Sequence, residues 1–154
     1  MDLIKGLGRA AGMDVLDVPG ATGLLDTNYQ GKVQAALDYL EQGDFVFVHL
    51  EGPDECGHGG DAHCKAEAIA RFDALVVEPL LAAHPEALCL VTCDHLTPVA
   101  KRTHVDDPVP FLLWGQGVES NGATGFSEAQ AASTGLLVEP GHALLSWALE
   151  RGGL

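Results

Sequence analysis

The chain has 154 residues, of which 47% are hydrophobic and 19% charged, with a formal net charge of −14 and only eight lysines and arginines. That balance belongs to a globular chain long enough to bury a core, not to a disordered one. It argues against a general surface for nucleic acid or anionic membrane, which needs clustered basic residues, but not against an anionic substrate, because bound cations can invert the local field.

Taken in order, residues 2–12 read as the end of a helix interrupted by glycines at 6, 8 and 12, which a helix interior disfavours. The early Asp2 and the lack of a long apolar stretch make this a poor signal peptide. Residues 14–18 form a short strand candidate ended by Pro19-Gly20. Asp26-Thr27-Asn28 offers a helix cap, and apolar residues at 33, 36, 37 and 40 give residues 32–41 a helical stripe. Residues 45–50 are apolar enough for a buried strand, which stops at Gly52-Pro53. The glycine-rich segment 51–60 reads as irregular backbone. Asp61 can cap a long helix over 62–83, with Pro79 kinking or shortening it. Further strands are expected over 87–92 and 109–114, a short helix over 127–133 and a last helix over 142–150. No run of about 18 apolar residues suggests a membrane span. Strands alternating with helices indicate an α/β fold with a largely parallel sheet in a single domain. An acidic, signal-free chain reads as cytoplasmic, where Cys56, Cys64, Cys89 and Cys93 stay reduced and serve as small packing residues.

Chemistry gathers at the ends of two of these strands. Asp54 and His58 follow the first, and Asp94-His95 follows the second. A third imidazole, His104, comes in RTHVDDP. Carboxylates and imidazoles just past strand ends stand where open α/β sheets place their active sites. The oxygen and nitrogen donors suit manganese, zinc, cobalt or similar ions. Five ligands are one too many for a usual tetrahedral site and about right for part of a two-metal site, which can clamp both oxygens of a phosphoryl transfer. A lone histidine after a strand is more often a hydrogen-bonded residue than a ligand; it is the group that carries the argument. His49 reads as a core residue, His63 and His84 as solvated and His142 as a cap. Asp106-Asp107 reads as a turn. Glu51 and Glu55 flank the ligands and can orient them. The glycines at 6, 8 and 12 have the wrong spacing for a nucleotide fingerprint, and neither a phosphate-binding loop nor a nucleophile elbow is present.

The segments LEGPDECGHGGD, CDHLTP and RTHVDDPVPF resemble the C-terminal half of the cofactor-independent (2,3-bisphosphoglycerate-independent) phosphoglycerate mutases of the archaeal type, within the alkaline phosphatase superfamily. VPGATGLLDTNYQGK resembles the segment that precedes the first ligand loop there. The resemblance runs over almost the whole chain. It implies a three-layer α/β/α sandwich with a mostly parallel sheet, in an enzyme that interconverts 3-phosphoglycerate and 2-phosphoglycerate through a phosphoserine intermediate in glycolysis. It implies two divalent cations, manganese first, with magnesium, cobalt or zinc as variants. Asp54, His58 and His104 match the protein ligands of one ion, and Asp94 and His95 match two ligands of the other. Lys5 is matched to a lysine that contacts the phosphoryl group.

The nucleophilic serine, a further aspartate and an inserted substrate domain precede this region in the family. The expectation is therefore that residues 1–154 form the C-terminal part of the metal-binding domain, incomplete on its N-terminal side, with an exposed sheet edge and no mutase activity alone. Two alternatives stay open. One is another phosphohydrolase or a phosphopentomutase of the same superfamily. The other is a non-catalytic metal-binding or interaction domain.

Overall fold

Residues 2–154 are described by the computed structural model, and they form α1 (Asp2–Ala10), α2 (Tyr29–Leu40), α3 (Gly52–Gly59), α4 (Ala62–Phe72), a π-helical turn (Asp73–Val77), α5 (Glu78–Ala83), β1 (Cys89–Thr92), β2 (Phe111–Trp114), α6 (Glu128–Ser133), a 3-10 turn (Gly141–Ala143) and α7 (Leu144–Arg151). The chain packs as two units. One holds the residues through Ala83 together with Thr97–His104; the other holds His84–Leu96 and Val105–Leu154.

In the first unit, α2 starts where the sequence places its cap. The Asn28 side chain accepts a hydrogen bond from the Gly31 amide at 2.9 Å, which satisfies one of the free donors of the first turn. Tyr29 and Val33 of α2 pack on Val76 of the π turn, with Leu37, Val48, Leu50, Phe72 and Leu80 around them. Asp61 caps α4 by accepting from the Cys64 amide. The expected single helix over 62–83 is helical throughout, but a π turn separates α4 from α5. Pro79 cannot donate to the carbonyl four residues earlier, and widening the preceding turn accommodates that loss.

Residues 14–18 and 45–50, both expected as strands, form no regular element and belong to no ladder. A strand needs a neighbour for its backbone groups, and among the described residues none pairs with either segment. They flank a cavity of about 460 Å³ lined by Leu16, Val18, Ala36, Phe45 and Phe47. Leu16, Phe45 and Phe47 are exposed there.

In the second unit, β1 pairs with β2 antiparallel, with Cys89 opposite Trp114 and Thr92 opposite Phe111. The fold is α/β, but this two-stranded sheet is the only one among the described residues. The largely parallel sheet expected from the sequence is not formed here. A parallel pair needs a crossover connection, usually a helix; residues 93–110 contain no helix, so the chain returns in the opposite direction. The Thr92 hydroxyl donates to the Pro110 carbonyl at 3.1 Å. Phe111 meets Trp147 of α7 edge to face, with ring centroids 5.4 Å apart, and Ala148 beside it is buried. Helices α6 and α7 fall where the sequence puts them, α6 capped by the Ser127 side chain. No helix of the described residues is long and apolar enough to cross a membrane.

Candidate metal centre

The segment expected as an irregular loop is helix α3. Pro53 stands in its first turn, where a missing N–H costs nothing. Gly60 ends it in the left-handed conformation, φ 73°, which glycine adopts freely. Being helical has a consequence for the ligands. Asp54 and His58 are four residues apart, so they lie one above the other on the same face. Their closest atoms, Asp54 Oδ2 and His58 Nε2, are 3.4 Å apart.

His104 completes the group from the Thr97–His104 segment of the same unit. Its Nε2 lies 3.0 Å from His58 Nε2 and 3.6 Å from Asp54 Oδ1. The structure therefore places near one another the three residues for which the family resemblance implies a shared ion. The tautomer of His58 follows from its other nitrogen. Nδ1 sits 3.0 Å from the Arg102 carbonyl, an acceptor only, so Nδ1 carries the proton and donates. That leaves Nε2 as the ring nitrogen turned to the group. Arg102 holds that carbonyl from a left-handed backbone, φ 54°, unusual for a residue with a side chain. Two imidazole nitrogens and a carboxylate within 3.6 Å of one another form a donor set that fits a divalent ion of the zinc or manganese kind.

Sequence reasoning missed two residues of this group. The buried Thr97 donates its hydroxyl to Asp54 Oδ1. Gly57 lies with its backbone against Thr97. Thr97 falls within the quoted CDHLTP segment, and that proximity to Asp94-His95 was the available signal; nothing in the sequence ties it to a helix forty residues earlier.

In the second unit, Asp94 and His95 interact with each other. The His95 amide donates to Asp94 Oδ1 at 3.2 Å, and His95 Nε2 is 3.2 Å from Asp94 Oδ2. Lys5 lies on α1 and pairs with Asp17 at 2.6 Å. That hydrogen bond, then the charge of Lys5, holds the Asp17 carboxyl below its ordinary value. Lys32 donates to the His49 carbonyl at 2.6 Å, and burial pushes its ammonium below the ordinary lysine value. His49, read from the sequence as a core residue, lies beside Glu51, with Nε2 to Oε1 at 3.6 Å.

The cysteines depart from the reduced-thiol expectation. Cys56 of α3 and Cys64 of α4 form a disulfide, with Cα atoms 5.5 Å apart, inside the usual range for a bridge. The turn at Gly60-Asp61 folds the two helices back on each other and brings these positions together. Cys89 and Cys93 take no part in a disulfide.

Comparison with known proteins agrees with a metal-binding reading. The family model described as the Metalloenzyme superfamily matches residues 1–143. A protein of Geobacter sulfurreducens named as a probable 2,3-bisphosphoglycerate-independent phosphoglycerate mutase is 48% identical, over 98% of this chain and 39% of its own length. The mutase of that name from Methanothrix thermoacetophila is 47% identical, over 94% of this chain and 38% of its own. The solved structure of the PH0037 protein from Pyrococcus horikoshii superimposes with a TM-score of 0.91 at 35% identity, covering 98% of this chain and 46% of that one. The chain thus spans about two fifths of the length of the curated relatives it matches.

Proposed function

The chain belongs to the Metalloenzyme superfamily, and from that membership we propose that it is the C-terminal part of the metal-binding domain of a phosphoglycerate mutase, interconverting 3-phosphoglycerate and 2-phosphoglycerate. The observation that carries the proposal is the convergence of Asp54, His58 and His104 in a chain whose curated relatives bear that enzyme's name. In this reading these three residues hold one divalent ion, manganese first. Asp94 and His95 supply part of the holding of a second, whose further ligands lie outside residues 1–154. Bound ions of this kind neutralise phosphate oxygens and lower the pKa of an attacking hydroxyl.

The chain's own residues prepare that chemistry. Arg102 fixes the His58 tautomer, and Asp54 gives the group its negative charge. Lys5 is assigned a phosphoryl contact, for which its pairing with Asp17 must open. The finer fold belongs to the same proposal. The strand-like apolar segments 14–18 and 45–50, which join no ladder, and the apolar cavity they flank support an α/β/α sandwich whose mostly parallel sheet is completed by strands from elsewhere in the longer enzyme. A cytoplasmic site of action follows from the glycolytic reaction.

The test is a coupled assay for 2-phosphoglycerate formation with manganese present. It compares this chain with a chimera that carries the preceding part of the Geobacter relative ahead of residue 2. The chimera is expected to turn over and the chain alone to be inert. A folded, metal-loaded chimera that hydrolyses other phosphate esters but leaves 3-phosphoglycerate untouched would overturn the mutase reading in favour of another phosphohydrolase.

A further inference from the structure

Thr97 is held on three sides. The residue is 2% exposed. Its hydroxyl donates to Asp54 Oδ1. Its carbonyl accepts from the Lys65 ammonium of α4 at 2.7 Å. Its γ-methyl lies against the backbone of α3, where a β-carbon on Gly57 would come within 3.0 Å of it. Threonine is stiff about χ1 because two heavy atoms branch from its β-carbon, and here the methyl's seat on Gly57 selects the rotamer. The hydroxyl then has one direction to point in, toward Asp54.

We infer that Thr97 is the positioning residue for Asp54, resting on the reading of Asp54 as a metal ligand. An isolated aspartate on an exposed helix face rotates about χ1 and χ2. A hydrogen bond from a rigid, buried donor fixes the carboxylate plane. In that plane Oδ2 faces His58 and Oδ1 faces His104. The ligand arrangement is thus set before any ion arrives, and this is the kind of outer contact whose loss typically lowers metal affinity 10–100-fold. Lys65 and Gly57 act one step further out, by holding Thr97 itself. The device links three parts of one unit: α3 supplies the ligand, α4 the anchoring ammonium and the Thr97–His104 segment the donor.

The experiment titrates the whole chain with Mn²⁺ by calorimetry and follows metal-free thermal unfolding of each variant in parallel. Thr97→Val keeps the shape and methyl but removes the hydroxyl. It is expected to weaken Mn²⁺ binding 10–100-fold, and Thr97→Ser is expected to recover most of it, while metal-free stability does not track the loss. Asp54→Asn is the control for the underlying reading. Wild-type affinity in a folded Thr97→Val, with binding lost in Asp54→Asn, overturns the role of Thr97 and leaves the metal site standing. Unchanged binding in both overturns the metal reading. Should Thr97→Val not fold, Thr97→Ser, which loses the rotamer restraint, and Lys65→Met, which releases the carbonyl, are each expected to bind Mn²⁺ a few-fold more weakly; wild-type affinity in both overturns the inference.

Discussion

A β-carbon on Gly57 would lie 2.5 Å from the carbonyl oxygen of Thr97, closer than any real side chain tolerates. The helix that carries Asp54 and His58 therefore rests its backbone directly on the segment that carries His104. Gly57→Ala must push the two apart. The expected result is destabilisation by about 1–3 kcal/mol, the usual cost of overpacking, together with weaker Mn²⁺ binding. Gly59→Ala is the matched control, since its β-carbon would meet nothing within 4 Å. Alanine there is expected to be neutral or to stabilise α3 by up to about 1 kcal/mol. Chemical denaturation of both variants measures the difference.

Metal binding should be visible as stability. An ion that binds only the folded chain adds about 2.7 kcal/mol when present at a hundred times its dissociation constant. For a domain of this size that is a rise in melting temperature of roughly 5–10 °C. Excess Mn²⁺ is expected to produce the rise and a chelator to abolish it. His58→Ala and His104→Ala are each expected to lose most of the response, because each removes one of three donors that lie within 3.6 Å of the others. An undiminished response in both would place the ion elsewhere.

The sequence made one cluster legible and hid its support. Asp54, His58 and His104 were readable from residue type and from a resemblance over long ordered segments, and they do come together. Helix α3 was not readable, because glycines at 52, 57, 59 and 60 suggest a loop. Tertiary packing overrides that weak propensity: Gly57 is required by the approach of Thr97 and Gly60 by the left-handed cap. Segments 14–18 and 45–50 have the apolar pattern of strands but form none among the described residues, since a strand depends on which neighbours are present to pair with it. The antiparallel direction of β1 and β2 could have been suspected from the helix-free connection between them. The Cys56–Cys64 bridge needed the helical turn between its partners, which the loop reading had removed.

That bridge can be counted and removed. The oxidised chain is expected to titrate with two accessible thiols under denaturing conditions, Cys89 and Cys93, and with four after reduction. Cys56 and Cys64 are eight residues apart. Closing so short a loop stabilises by about 2.5 kcal/mol on chain-entropy grounds. Cys64→Ser is therefore expected to lower the melting temperature by roughly 5–10 °C. Because the bridge fastens α3 to α4, the variant should also bind Mn²⁺ more weakly. Four thiols in the unreduced protein would show that the pair remains open.

Cys89 supplies a pH dependence whose sign can be worked out. It sits on β1, and burial raises its thiol pKa above the ordinary value. The folded chain therefore keeps the Cys89 proton at pH values where the unfolded chain has released it. Stability rises with pH only where the unfolded state binds more protons; here the folded state binds more, so stability must fall. Below the ordinary thiol pKa, roughly 8.5, both states are protonated and Cys89 contributes no slope. From there upward stability is lost progressively, until pH passes the raised folded value. Burial also raises the Tyr29 hydroxyl pKa and lowers that of the Lys32 ammonium, and these act in opposite directions at alkaline pH, so the wild-type slope alone does not isolate the thiol. The difference between wild type and Cys89→Ala does. Urea midpoints between pH 7.5 and 9.5 are expected to fall more steeply for wild type than for the variant. Parallel slopes would mean that the Cys89 thiolate is solvated in the folded chain as well as in the unfolded one.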